Sequence, residues 1–154
     1  KVIVSEPSDT RREVASLLGA DVVIDPKKGD SVEAMIQSTD GVGPHVVYEC
    51  AAAKSTLHDA FNMVRKQGSV MLVALAWEEI PLLPVDWAAK EVTFNTTFGS
   101  EHYDWQVAMH LISTGQVNLD PLMSEADIIE VDDIQKAFED LCKPSSQVQM
   151  VVRF

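Results

Sequence analysis

Residues 1–26, KVIVSEPSDTRREVASLLGADVVIDP, decide the fold class, because two short apolar segments flank one helical segment. Residues 2–5 form the first apolar segment, and Ser8 follows it as a candidate helix N-cap. Helical spacing of apolar residues then continues as far as Gly19, a residue that often ends helices. Residues 21–25, DVVID, are apolar at their centre, as in a strand that is covered on both faces. The order strand, helix, strand predicts parallel pairing of the two strands.

The same alternation of strands and helices extends along the rest of the chain. The predicted strands are residues 2–5, 21–25, 45–50, 69–75, 92–97, 128–131 and 148–154. The predicted helices, with their caps, are residues 10–18, 30–36, 55–64, 105–112 and 132–141, where Asp30 and Ser55 are the candidate caps of the second and third. Residues 77–89 have no clear period and contain Pro81 and Pro84, so we expect a long surface loop there. The pattern predicts an α/β fold with a mainly parallel sheet.

Size and charge exclude several classes of protein. A chain of 154 residues is expected to form one domain. The net charge of −12 disfavours binding to nucleic acid or to an anionic membrane surface. No apolar run approaches the roughly 18 residues that a membrane span needs. Cys50 and Cys142 are too few for a disulfide framework, so we expect a cytoplasmic protein.

Four parts of the sequence together carry a family resemblance. They are residues 1–26, GVGPHVVYEC, KQGSVMLVAL, and a tail with KEVTFNTTFGS, LISTGQVNLDPLM and DDIQKAFEDL. In their order and spacing they resemble the C-terminal, nucleotide-binding portion of medium-chain zinc-dependent alcohol dehydrogenases, such as butanediol, sorbitol and threonine dehydrogenases. The resemblance implies a Rossmann-like, doubly wound sheet with strand order 3-2-1-4-5-6.

The resemblance also implies that this sheet is incomplete. The first strand here corresponds to the family's second strand, so the first βα unit, with its glycine-rich turn, is absent. Its strand would lie between residues 2–5 and 45–50, at the centre of the sheet. The first residue is Lys1, so either a segment has been removed upstream or the chain begins within an element. We expect residues 1–154 to be a single truncated nucleotide-binding domain, whose C-terminal tail returns toward an absent catalytic domain.

Glu6 and Arg11 follow the first strand, where the family binds the adenosine ribose. A carboxylate such as that of Glu6 accepts hydrogen bonds from both ribose hydroxyls and repels a 2′-phosphate, which implies a preference for NAD over NADP. The alternative for Glu6 is a solvated carboxylate at a strand end. Arg11 matches a basic residue beside the same ribose, although Arg11 and Arg12 also fit plain surface charges.

Further cofactor contacts are implied after the later strands. The resemblance places them at Cys50, Ala51, Val73, Ala74, Leu75 and Phe98. Ala74 stands where a glycine is common, and its methyl group would crowd a nicotinamide ring. From its own chemistry, Cys50 is interpreted as a small buried hydrophobic residue.

The sequence offers little for phosphate, metal or catalysis. Gly41 and Gly43 precede Pro44 and a strand, whereas a phosphate-binding turn must open a helix. A catalytic zinc needs about three protein ligands, and the ligand motifs of the family are absent, so no zinc is expected. The catalytic residues are unknown, with His102 and Tyr103 as outside candidates for substrate contact and a surface turn as the alternative.

Three functions stay open. The first is a truncated alcohol dehydrogenase that has weak or no affinity for NAD and cannot transfer hydride alone. The second is a repurposed isomerase or cyclase that binds a small molecule in the leftover crevice. The third is a non-catalytic assembly module, because the family dimerises through the strand predicted here from Val92 to Thr97, which makes a homo-oligomer the expected state.

Overall fold

The computed structural model describes residues 1–142 and 147–154, which fall into two compact units. The first unit comprises Lys1–Lys27 and Ser100–Phe154, and the second comprises Lys28–Gly99. The strands are β1 (Ile3–Ser5), β2 (Val22–Ile24), β3 (Val46–Glu49), β4 (Ser69–Leu72), β5 (Thr93–Thr96), β6 (Ile128–Glu130) and β7 (Val151–Arg153). The α-helices are α1 (Asp9–Leu17), α2 (Ser31–Gln37), α3 (Thr56–Met63), α4 (Val85–Ala88), α5 (His102–Ser113) and α6 (Ile134–Leu141). All described strand pairs are parallel, which confirms the predicted α/β class.

In the first unit, β1, α1 and β2 form the strand–helix–strand arrangement that the sequence predicts. Ile3 lies opposite Val22 in the parallel pair. Ser8 caps α1 by accepting a hydrogen bond from the Arg11 main-chain N–H. Gly19 follows the helix with a φ of +96°, a left-handed conformation that favours glycine. The β1–α1–β2 unit therefore follows from local sequence signals.

The C-terminal part of the first unit contains a second small sheet. Strand β6 pairs with β7 in parallel, and α6 lies between them in the chain. Short 3-10 turns occur at Asp120–Leu122, Glu125–Asp127 and Val131–Asp133. The predicted last strand is thus shorter than residues 148–154, and the predicted helix at residues 132–141 begins as a 3-10 turn.

The second unit contains a three-stranded parallel sheet in the order β3-β4-β5. Its core lies between one face of this sheet and α3, and consists of Leu57, Ala60, Phe61, Val64 and Val70. Side chains on a strand alternate between faces, and the other face of β3 carries Val46 and Tyr48, which are exposed. Parallel sheets are normally covered on both faces, so this exposed apolar face is unusual for a parallel sheet.

The Lys90 side chain caps the C-terminal end of α3. Its Nζ donates hydrogen bonds to the main-chain carbonyls of Phe61 (2.9 Å), Asn62 (2.6 Å) and Val64 (3.2 Å). Burial of the ammonium group lowers the pKa of Lys90. The lysine supplies donors where the last helix turn leaves carbonyls without an intrahelical partner.

The expectation of a long surface loop at residues 77–89 is wrong for the second half of this range. Residues 85–88 form α4, and Pro84 stands at its N-cap, where a proline is compatible with the start of a helix. Ile80, Leu82 and Trp87 pack against the core, and the Trp87 ring stacks on that of Phe61 at a centroid distance of 5.0 Å. Burial of these apolar side chains stabilises a segment whose sequence has no regular spacing of apolar residues.

Two expectations about the starts of helices are also corrected. Ser55 makes no capping hydrogen bond, although it does occupy the N-cap position of α3. Helix α5 begins at His102 rather than Trp105, because Glu101 and Asp104 form a reciprocal capping box at its start. Within the described ranges, no helix has the length and apolar character needed to cross a membrane.

Candidate functional site

Glu6 stands at the carboxyl end of β1. Its main-chain N–H continues the sheet by donating to the Ile24 carbonyl (3.1 Å). Its carboxylate is half-buried, and Oε1 accepts a hydrogen bond from the Ser8 N–H (2.7 Å). The structure thus fixes Glu6 at the turn between β1 and α1, with a carboxylate suited to accept hydroxyl groups.

The two neighbouring arginines have different surroundings. Arg11 is exposed, and its Nη2 donates to the Gln147 carbonyl (3.2 Å). The Arg12 side chain is 13% exposed; it donates to the Glu6 carbonyl (2.7 Å) and contacts the carboxylates of Asp9 and, at 3.1 Å, Asp25. Arg12 is therefore not a plain surface charge, since it ties the ends of β1 and β2 to α1.

Most of the remaining predicted contacts lie at one edge of the second unit. Strands β3, β4 and β5 are parallel, so the segments that follow them leave the sheet at the same edge. Cys50 and Ala51 follow β3, residues 73–75 follow β4, and Phe98 lies two residues beyond β5. The structure thus brings the predicted contacts of this unit to the edge where doubly wound sheets bind ligands.

Glu49, the last residue of β3, organises two of these segments. Its carboxylate is 4% exposed and accepts hydrogen bonds from the Ala51 N–H (2.9 Å), the Ala52 N–H (3.0 and 3.1 Å) and the Thr56 hydroxyl (2.7 Å). Its main-chain carbonyl accepts from the N–H groups of Val73 (2.9 Å) and Ala74 (3.2 Å). The sequence analysis assigns no role to Glu49. A lone acidic residue inside an apolar strand was the available signal, because a buried carboxylate needs hydrogen-bond partners.

Ala52 has a left-handed backbone in the segment that Glu49 holds. Its φ is +49°, a region that costs a residue with a Cβ atom about 1 kcal/mol or more. The loop persists because the Ala52 N–H is bound by both oxygens of a buried carboxylate. Strain held in this way is frequent at ligand-binding sites, although strain alone does not identify one.

Cys50 is exposed, so the expectation of a small buried residue is wrong. The strand ends at Glu49, and the chain turns outward at Cys50 instead of continuing through the core. Partial burial of the thiol raises the pKa of Cys50, and the Glu49 carboxylate raises it further. A raised pKa disfavours the thiolate, so this cysteine is not activated as a nucleophile.

Phe98, His102 and Tyr103 are well exposed. Phe98 is 85% exposed beside Gly99, whose φ is +68°. His102 and Tyr103 occupy the first turn of α5 rather than an irregular turn, and the His102 Nε2 lies 3.0 Å from the Gln106 side-chain nitrogen. A role for these residues in substrate contact stays a prediction.

The comparisons with known proteins identify the family. The family model described as zinc-binding dehydrogenase matches residues 1–114. The chain belongs to the zinc-binding dehydrogenase family. The resemblance to medium-chain zinc-dependent alcohol dehydrogenases is therefore confirmed.

Individual known dehydrogenases align over most of this chain. L-threonine 3-dehydrogenase from Thermococcus kodakarensis is 34% identical over 142 residues, which are 90% of this chain and 40% of that protein. The solved structure of 2R,3R-butanediol dehydrogenase from Bacillus subtilis has a TM-score of 0.85 at 28% identity, covering 99% of this chain and 43% of that one. A zinc-binding dehydrogenase structure from Sinorhizobium meliloti bound to NADP has a TM-score of 0.82 at 26% identity, covering 99% of this chain and 44% of that one. These likenesses support the Rossmann-like architecture.

The match concerns one part of the zinc-binding dehydrogenases. The chain spans about a third to two fifths of the length of the curated relatives that it matches. In the described parts of the chain, no group of three His, Cys, Asp or Glu residues is arranged to hold a metal ion. The residues present therefore do not fit a zinc site, and the expectation that this chain binds no zinc stays a prediction.

Each unit, taken by itself, offers groups of a kind that a dinucleotide needs. In the first unit, Glu6 presents a carboxylate of the kind that accepts ribose hydroxyls. In the second unit, the segments after β3 and β4 leave the sheet at the edge where doubly wound sheets bind ligands. Gly41 and Gly43 adopt positive φ values of +80° and +91°, but they lie in the turn between α2 and β3 and open no helix. The described residues thus suit the ribose better than the diphosphate, which needs main-chain donors at a helix start.

Proposed function

We propose that this chain is the nucleotide-binding part of an NAD-dependent zinc dehydrogenase that oxidises a secondary alcohol or polyol. The observation that carries the proposal is Glu6, held at the carboxyl end of β1 in a chain of the zinc-binding dehydrogenase family. A carboxylate in this place accepts the two ribose hydroxyls and disfavours a 2′-phosphate. The proposal therefore includes a preference for NAD over NADP.

These 154 residues alone are proposed not to transfer hydride. They lack a glycine-rich turn that opens a helix, so the two phosphates of a dinucleotide find few donors. The described residues also include no fitting zinc donor set, and zinc in such enzymes polarises the alcohol oxygen and eases its deprotonation. We propose that, in the whole protein, a further segment supplies these functions and pairs with the edge of β3 at which no described strand lies.

Calorimetric titration with NADH and NADPH tests the role of Glu6. We expect weak binding of NADH to the 154-residue chain, weaker binding of NADPH, and no reduction of NAD when a secondary alcohol is added. Glu6→Gln should weaken NADH binding about tenfold, because a neutral amide replaces a charged acceptor.

Glu13→Gln is the matched control for this experiment. Glu13 lies on α1, is exposed, and its replacement makes the same change of net charge. Equal NADH affinity in the Glu6 and Glu13 variants would refute the ribose role. Low-micromolar binding of NAD to the unmodified chain, or turnover of an alcohol by it, would refute the second part of the proposal.

A homo-oligomer formed through β5 is a second proposal. Strand β5 lies at the outer edge of the β3-β4-β5 sheet, and all four of its residues are exposed. An unpaired edge strand presents N–H and C=O groups that favour pairing with another chain. This observation supports an assembly role alongside nucleotide binding. A cytoplasmic location stays a prediction from the sequence.

A further inference from the structure

Glu49 is a buried charged residue whose carboxylate and main-chain carbonyl both bond to segments at the carboxyl edge of the sheet in the second unit. Its carboxylate accepts hydrogen bonds from the Ala51 and Ala52 N–H groups in the loop after β3. Its main-chain carbonyl accepts hydrogen bonds from N–H groups in the segment after β4. One residue thus fixes two neighbouring loops relative to the same strand end. These loops carry the predicted contacts Ala51, Val73 and Ala74.

The chemistry of the carboxylate matters for the first loop. An ionised carboxylate offers acceptors on both oxygens, and here both are bound by N–H or O–H donors. A glutamine of the same shape would place an NH₂ group where Oε2 now accepts from the Ala52 N–H at 3.1 Å. The left-handed Ala52 therefore depends on the charge and acceptor character of Glu49 as well as on its size.

We propose that Glu49 is a positioning residue, which sets the backbone of the loops after β3 and β4 for contact with the dinucleotide. The carboxylate holds Ala51 and Ala52 directly, and the main-chain carbonyl links Val73 and Ala74 to the same point. The contact with dinucleotide rests on the proposed function. The fixing of the loops is tested without any ligand.

Amide hydrogen exchange on the complete 154-residue chain tests the fixing of the first loop. Glu49→Gln should accelerate exchange at the Ala51 and Ala52 amides at least about tenfold, since both lose a charged acceptor. Exchange at Val70, in the fully buried centre of β4, should change far less. Unchanged exchange at Ala51 and Ala52 would overturn the proposal.

Thr56→Val separates positioning from stability. It removes the hydrogen bonds of the Thr56 hydroxyl to the Glu49 carboxylate and the Ala53 carbonyl, and leaves the bonds of Glu49 to Ala51 and Ala52 in place. We expect Thr56→Val to lower the melting temperature while NADH affinity and exchange at Ala52 stay unchanged. Glu49→Gln should weaken NADH binding although its melting temperature is close to that of Thr56→Val.

The outcomes of the two measurements are distinct. Faster exchange at Ala52 with unchanged NADH affinity in Glu49→Gln would overturn the positioning role. Equal losses of NADH affinity in both variants would also overturn it, because stability alone would then explain the effect. If the unmodified chain binds no NADH, the proposed function fails, and the exchange rates alone decide whether Glu49 fixes the loop.

Discussion

At the scale of single residues, the neighbours Arg11 and Arg12 differ in what they hold together. Both follow the Ser8 cap and carry the same side chain, so the sequence does not separate them. The orientation of α1 on β1 and β2 turns Arg12 toward Glu6 and Asp25 and leaves Arg11 exposed. A tertiary contact of this kind has no signature in local sequence.

We expect Arg12→Met to lower the free energy of unfolding by about 2 kcal/mol, because it removes charge-assisted hydrogen bonds from a side chain that is mostly buried. Arg11→Met is the control and should cost less than about 0.5 kcal/mol, as for other exposed positions. Urea denaturation of the two variants checks this. Equal losses at the two positions would contradict the linking role of Arg12.

Caps and exposures show how far residue-level prediction reaches. Ser8 and Asp30 cap their helices as the sequence indicates, since each cap depends on residues within one turn. Cys50 is exposed because the strand ends at Glu49, and Ser55 makes no capping bond because its backbone is helical, with φ −93° and ψ −27°, rather than extended. Glu49 itself was missed as an organising residue, since its partners become evident only after folding.

At the scale of elements, β5 is an edge strand of the described sheet. Its bonds to β4 define which of its main-chain groups point outward. The Thr93 N–H donates to the Gly68 carbonyl, and the Thr97 N–H donates to the Leu72 carbonyl. Because N–H groups alternate in direction along a strand, those of Phe94 and Thr96 point away from β4. These outward groups would bond to a second chain.

Thr96→Pro should convert an oligomer formed through β5 into a monomer, because proline removes one outward N–H and leaves the bonds to β4 intact. Thr96→Val keeps both the N–H and the branched shape, so it should assemble like the unmodified chain. Light scattering after size-exclusion chromatography measures the mass of each. An unmodified chain that is already monomeric, or a proline variant that still assembles, would contradict the role of β5.

The elements themselves were predictable where a clear period exists. The β1–α1–β2 unit follows from two short apolar segments on either side of a capped helix, whereas the order of strands in the second unit was implied by the family resemblance. Residues 77–89 were misjudged because their packing against Phe61 and the rest of the core is tertiary and leaves no regular spacing. Strand ends were predicted too far along the chain after β3 and β4, where the segments turn into loops held by Glu49.

At the scale of the whole molecule, β3 is an edge strand of the described sheet. The His45 and Glu49 carbonyls accept from the Ser69 and Val73 N–H groups of the neighbouring strand, so alternate residues of β3 face β4. The N–H groups of Val46 and Tyr48 point to the opposite edge, and among the described residues no strand pairs there. The Tyr48 side chain is 67% exposed.

Amide hydrogen exchange within β3 of the 154-residue chain tests this claim most directly. The amides of Val47 and Glu49, which face β4, should be protected, while those of Val46 and Tyr48 should exchange rapidly. Equal protection of all four amides would mean that β3 is bonded on both edges, and would contradict the account of an incomplete nucleotide-binding sheet.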